Sequence, residues 1–354
     1  MKQRNVAITL ALIISATWTW LTIYQPPISA QPQELPKGKK AAVTPPAEQR
    51  PPEAVANAND RQYPIFFIDD VLSRLKSSVD ELVEQKLAKN SQTLKMDLKR
   101  TECTIALAKP SPREITTQQE LYRKASESVF LVAGLTKPED KDGDWQTAFS
   151  TAFAIHEDGI LSTSAHVFDH DDQDTAVVVL DVKGNVYPVL EILAADLKAD
   201  TCLFRIGCKG LKPLPLTRDA LPGSPIRVMG HPGDSFYFFS AGIIANYERD
   251  HDGLVWMNVT ADFGQGSSGG PVMDTAGNVV GQVSRTYTLY AGGEATNRRR
   301  RQRATRQVDA AEVPGDQMAP APADADEPDS RRRSDTQMIF KACTPVSAIR
   351  ALIK

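Results

Sequence analysis

Histidine and cysteine are scarce in this chain, five and four residues of 354. The cysteines form no Cys-x-x-Cys pair and no cluster with histidine, which argues against a zinc or iron–sulfur site; no metal and no cofactor are expected. Cys202 and Cys208 lie close in sequence, Cys103 and Cys343 far apart. An oxidising compartment would allow three pairings among them, and the other reading makes them small buried hydrophobes. Excess charge of one sign is also lacking. A net charge of -3 gives no field suited to a polyanion, so no nucleic-acid partner is expected.

What is present begins with an export signal. "MKQRN" carries Lys2 and Arg4, and an uncharged run follows from Val6 to Tyr24. Residues 1–30 fit either a signal peptide ending at the small-residue site "ISA" or a signal anchor that inserts in the membrane. In both cases the bulk of the chain is exported to the periplasm or cell exterior. Residues 31–64 are rich in Pro, Ala and charge, the composition of a disordered spacer. Over 65–100, Ile68, Leu72, Leu75, Val79 and Leu82 repeat by alternating fours and threes, as in an amphipathic or coiled-coil-like helix, until Lys86 breaks the pattern. Such a helix packs on its own protein or serves oligomerisation.

From about Ser126 to Tyr290 the chain is built of short apolar or alternating runs, among them "SVFLVAGL", "TAFAIHE", "TAVVVLDV", "CLFRIG", "PIRVMG" and "NVVGQVS", separated by Gly, Pro, Asp and Asn turns. This predicts an all-β barrel or sandwich. Residues 291–337, with "NRRRRQRATR" and then "RRR", hold opposed charge blocks and almost no large apolar residues, and read as a disordered insertion. Beyond it "MIFKACTPVSAIRALIK" predicts one more strand and a closing helix.

One Gly/Ser run, "ADFGQGSSGGPV", sits between two strand-like segments, where a sharp turn suits a nucleophile better than a tether. Of the histidines, His156, His170 and His251 lie in acidic or turn contexts and His231 in a "GHPGD" turn. His166, in "STSAHVF", stands just after a strand among small residues and fits a general base. Asp200 directly precedes the strand "TCLFRI" and fits an orienting carboxylate; Asp196 is its competitor.

The order His166, Asp200, Ser268 and the frames "TSAHV", "DTCLFRI" and "GSSGGPV" resemble the trypsin-like serine proteases, and within them the HtrA (Deg) branch. The resemblance extends over "STAFAIHEDGILSTSAHV", "GSPIRVMGHPGD", "MNVTADFGQGSSGGPVMDTAGNVVGQV" and "FKACTPVSAIRALI". It implies a protease domain over 118–354 made of two perpendicular six-stranded β-barrels with a C-terminal helix. It also implies Ser268 as nucleophile, His166 as base, Asp200 as orienter, and the backbone N–H groups of Gly266 and Ser268 as oxyanion donors. The branch's substrates are unfolded or exposed polypeptides, and many members are trimers. Ser267 stands where digestive trypsins carry the Asp of their zymogen switch, so no such switch is expected. The PDZ modules typical of the branch have no counterpart here. Asp262 has the offset of the carboxylate that makes trypsin prefer Lys or Arg, whereas much of the branch is small there; it either sets specificity or points elsewhere. The alternative function is a catalytically weak, protease-like scaffold or binding protein.

Overall fold

A computed structural model describes residues 65–112, 117–137, 145–170, 174–233, 235–290 and 336–354. The signal or anchor segment 1–30, the spacer 31–64 and all but the last two residues of the insertion 291–337 lie outside the described residues.

Twelve strands close into two six-stranded antiparallel barrels. The first holds β1 (Val129–Thr136), β2 (Gln146–His156), β3 (Ile160–Thr163), β4 (Ala176–Leu180), β5 (Val186–Asp196) and β6 (Thr201–Ile206) in the order β1-β2-β3-β6-β5-β4. The second holds β7 (Pro225–Gly230), β8 (Phe238–Arg249), β9 (Val255–Val259), β10 (Pro271–Met273), β11 (Val279–Tyr290) and β12 (Thr336–Pro345) in the order β10-β11-β12-β9-β8-β7. Each run named as a strand from its pattern forms one. The short β3 and β10 carry too few residues to show a period of their own. β11 and β12 stay paired out to Tyr290 and Thr336, so the charged insertion joins the two arms of one hairpin.

Alternation sorts β1 to two cores. Phe130 and Val132 join Ala152, Leu161, Val179 and Phe204 inside the first barrel. Val129, Leu131, Ala133 and Leu135 face a second cluster outside it. This is why "VFLVA" is apolar without interruption: both faces of the strand are covered. The second barrel has its own filling, including Val228, Ile244, Met257, Val272 and Val283.

The first, third and C-terminal helices complete the outer cluster, while Leu94 of a short second helix joins the first barrel's inner one. α1 (Ile68–Glu84) buries Val71, Leu75 and Val79, an i, i+4, i+8 stripe, against the first barrel's outer cluster. The expected helix over 65–100 is therefore two helices. Lys86 takes a positive φ of 56°, and α2 (Ser91–Asp97) restarts with Asn90 accepting a hydrogen bond from the Thr93 N–H at 2.8 Å. α3 (Gln118–Ser126) is a helix that no apolar period announced. Its start does have a local signal, Thr117 accepting from the Glu120 N–H at 3.2 Å. α4 (Val346–Ala351) follows β12 directly and buries Val346 and Ile349. All four cysteines are free thiols. Cys202 and Cys343 are fully buried, and burial holds both thiols well above their usual pKa.

Leu75 is fully buried in the cluster that joins α1 to the first barrel's outer face. Leu75→Ala should lower the stability of the chain by about 2–5 kcal/mol, measured as the shift in urea unfolding. A surface change on the same helix, such as Ser73→Ala, should move it by less than about 0.5 kcal/mol.

Candidate active site

The candidate residues come from both barrels. His166 lies in a 3-10 turn, Ala165–Val167, that leaves β3. Asp200 occupies the last position of the β5–β6 turn with φ +54°, a left-handed conformation costing about 1–2 kcal/mol in most side chains but tolerated by Asp. The two aspartates of that turn have divided the work. Asp196 Oδ1 accepts from the N–H groups of Lys198 and Ala199 at 2.9 and 3.0 Å and caps the turn. Asp200 faces His166 instead. Its carboxylate accepts the His166 backbone N–H at 3.0 Å, and both oxygens lie 2.9 Å from Nδ1. A carboxylate there selects the Nδ1–H tautomer and leaves Nε2 as the basic nitrogen.

Ser284, in β11, ties this pair to the second barrel. Its hydroxyl donates to Asp200 Oδ2, and its carbonyl accepts from the Ser268 hydroxyl at 3.4 Å. Ser284 was read from sequence only as the end of the strand "NVVGQVS". A serine closing an apolar strand gives no sign of which barrel it will face. In this arrangement the Ser268 hydroxyl donates to that carbonyl, not to the imidazole.

The turn before Ser268 needs its glycines. Gly266 has φ +95°, and a Cβ on it would sit 2.3 Å from the His231 carbonyl oxygen. Gly269 has φ +87°, and a Cβ there would lie 2.1 Å from both the Thr151 carbonyl and Thr163 Oγ1. The N–H groups along the turn are mostly spent: Ser267 on Gly264, Gly269 on Val283, Gly270 on Ser267. Among the described residues, those of Gly266 and Ser268 take no backbone acceptor. Two neighbouring donors without an internal partner can receive an oxygen that becomes negative.

Thr151, in β2, is the residue that sequence reasoning passed over. Its hydroxyl donates to the Gly266 carbonyl at 2.8 Å and accepts the His231 N–H at 3.1 Å, while its own N–H donates to the Ser268 carbonyl at 2.9 Å. His231 beneath it is fully buried and accepts the Tyr237 N–H at Nδ1, 3.0 Å. Burial lowers its pKa from 6.5 to about 3, so it is a neutral support.

Beside Ser268 a cleft of about 90 Å³ is lined by Phe263, Gly264, Gln265 and Val283 to Thr286. Asp262 is not among its walls. Its side chain is 83% exposed, and its nearest cation is Lys341, 3.9 Å away. Among the described residues no group of three or more His, Cys, Asp or Glu could hold a metal ion, and no helix is long and apolar enough to cross a membrane.

Residues 150–281 match the family described as the trypsin-like peptidase domain. The chain is 26% identical over 208 residues to "Probable periplasmic serine endoprotease DegP-like" of Pseudomonas fluorescens, covering 52% of this chain and 43% of that protein. It is 30% identical over 144 residues to "Serine protease HTRA1" of Xenopus tropicalis, covering 38% of this chain and 30% of that one. The chain thus spans less than half the length of these relatives. Among solved structures, "HtrA-type protease AlgW with decapeptide" aligns with a TM-score of 0.46 and 16% identity over 67% of this chain and 66% of the other.

Two outcomes test this geometry. Thr151→Val leaves a buried carbonyl and a buried N–H without partners, so it should lower stability by about 1–3 kcal/mol, with Thr151→Ser close to wild type; urea midpoints check it. For His231 the folded pKa lies below the unfolded one, so the unfolded chain binds the extra proton. Its contribution is complete above pH 6.5 and is lost as pH falls toward about 3. By NMR its imidazole should stay neutral until the pH approaches about 3.

Proposed function

We propose that this chain, which carries a trypsin-like peptidase domain and is a homologue of the HtrA/DegP serine proteases, is an exported serine endopeptidase that cleaves peptide bonds through an acyl-enzyme on Ser268. The observation that carries the reading is the continuous link Ser268–Ser284–Asp200–His166 across the two barrels. It holds a serine, an imidazole and a carboxylate in one small volume.

In the first step the Ser268 hydroxyl turns from the Ser284 carbonyl toward His166, which takes its proton at Nε2 as Oγ attacks the substrate carbonyl. The negative charge that forms on the substrate oxygen is received by the N–H groups of Gly266 and Ser268. One such donor contributes about 10²–10³ in rate. His166 then returns the proton to the departing amine, and Asp200 stabilises the imidazolium in between without taking the proton itself. A water activated by the same imidazole hydrolyses the ester and restores the hydroxyl.

The substrates on this reading are unfolded or exposed polypeptide segments, in protein quality control or regulated proteolysis. Export is supported by the basic, then apolar, run at Met1 to Tyr24 and by the similarity to a protein described as a probable periplasmic serine endoprotease. Trimeric assembly, implied by the resemblance, belongs to the same proposal.

A fluorophosphonate should label Ser268, located by peptide mass spectrometry. Ser268→Ala and His166→Ala should each lower turnover of an unfolded protein substrate by about 10⁴-fold or more. Full turnover by either variant would refute the assignment.

A further inference from the structure

A cation lies against a wall of the cleft beside Ser268. Lys341 in β12 pairs directly with Thr286 of β11, and directly paired residues of an antiparallel sheet present their side chains to the same face. Thr286 lines the cleft. From there the Lys341 ammonium crosses to the opposite wall, donating to the Phe263 carbonyl and lying 5.1 Å from the centre of the Phe263 ring. It is thereby tied to two residues that line the cleft, Thr286 and Phe263.

We propose that Lys341 determines specificity by selecting a carboxylate side chain, glutamate or aspartate, in the residue whose carbonyl Ser268 attacks. This rests on the reading of Ser268 as nucleophile. An ammonium carries three donors, and the Lys341 side chain is only 16% exposed. One donor is used by the Phe263 carbonyl. The facing carboxylate, Asp262, is 3.9 Å away and 83% exposed, a separation beyond a hydrogen bond and a setting that water screens. A half-buried cation with donors to spare gains most from an anion that arrives with its own chain and excludes water. A substrate Lys or Arg would bring a second cation to the same wall. A small aliphatic side chain would leave the ammonium facing a dry void. Arg285 also lines the cleft, but its guanidinium is stacked 3.6 Å over the Trp256 ring, whereas the Lys341 ammonium lies against the cleft wall at Phe263.

The test uses peptidyl phosphonate esters that differ only in the last residue, Glu, Gln, Val or Lys, together with a small fluorophosphonate lacking any peptide. Rates of covalent labelling of Ser268 are measured on the full chain, each peptide rate divided by that variant's own fluorophosphonate rate. The Glu ester should react about tenfold faster than its Gln isostere. Lys341→Met should erase that ratio, Lys341→Arg should keep it, and Asp262→Asn, which removes the competing carboxylate, should raise it. A faster Val or Lys ester, or a Glu advantage that survives Lys341→Met, overturns the proposal. If Lys341→Met does not fold, a ratio unmoved by Asp262→Asn and by high salt overturns it instead. Fluorophosphonate labelling without a Glu preference sinks this inference alone. Failure of every label sinks the reading of Ser268 and this inference with it.

Discussion

The site depends on a polar seam between the barrels, and Thr151 is its centre. Thr151, Ser162, Thr163 and Ser164 are each fully buried. Ser162 donates to Gln282 Oε1 at 2.6 Å, Ser164 to the Val283 carbonyl at 2.8 Å, Thr163 to the Thr151 carbonyl at 2.7 Å, and Thr151 to the Gly266 carbonyl. Three of the four bonds cross to the second barrel. An apolar contact there would bind the barrels with no preferred register, because hydrophobic attraction has no direction. Buried hydroxyls are costly unless their partners stand at one distance and angle, so they fix one arrangement. That arrangement sets the turn carrying Ser268 against the turn carrying His166.

The same seam explains why small residues surround the base. "STSAH" reads as a run of compact side chains, and each has a task that bulk would prevent. Ser164 and Thr163 reach into the seam, and Ala165 is buried in the first barrel's core. Gly269 leaves room for Thr151 and Thr163 within 2.1 Å of where a Cβ would stand. Asp200 then collects two N–H donors of His166 and the Ser284 hydroxyl. The orienting charge is thus held by both barrels at once, and separating them would loosen the imidazole.

Much of this was legible in the residues. The strand runs of both barrels alternate or stay apolar according to whether one or two faces are covered, as β1 illustrates. Asp200 was separable from Asp196 by its place against the next strand, and the Asx turn made by Asp196 accounts for the other. Helix α3 was not legible, because nine residues with Leu121 and Ala125 as their main buried side chains carry too short a period. The break at Lys86 announced itself only as a missing apolar residue. Thr151 and Ser284 were silent for a different reason: a hydroxyl in a strand has no local partner to betray it, and both partners lie more than eighty residues away.

Asp262 and Lys341 show where sequence offset stops being informative. The distance from Asp262 to Ser268 fixes the place of a backbone, but the side chain turns out toward solvent. Its carbonyl accepts from the Ser240 hydroxyl at 2.6 Å, which holds the peptide in that orientation. The charge that lies against the cleft wall at Phe263 comes instead from β12, on the far side of the charged insertion. Only the pairing of Lys341 with Thr286 brings it there. Strand pairing across a long connection cannot be read from local pattern, yet it is what brings Lys341 beside Thr286. The turn that carries Ser268 is thus written in one local run of residues, while the cation near it belongs to a strand that reaches it only through long-range pairing.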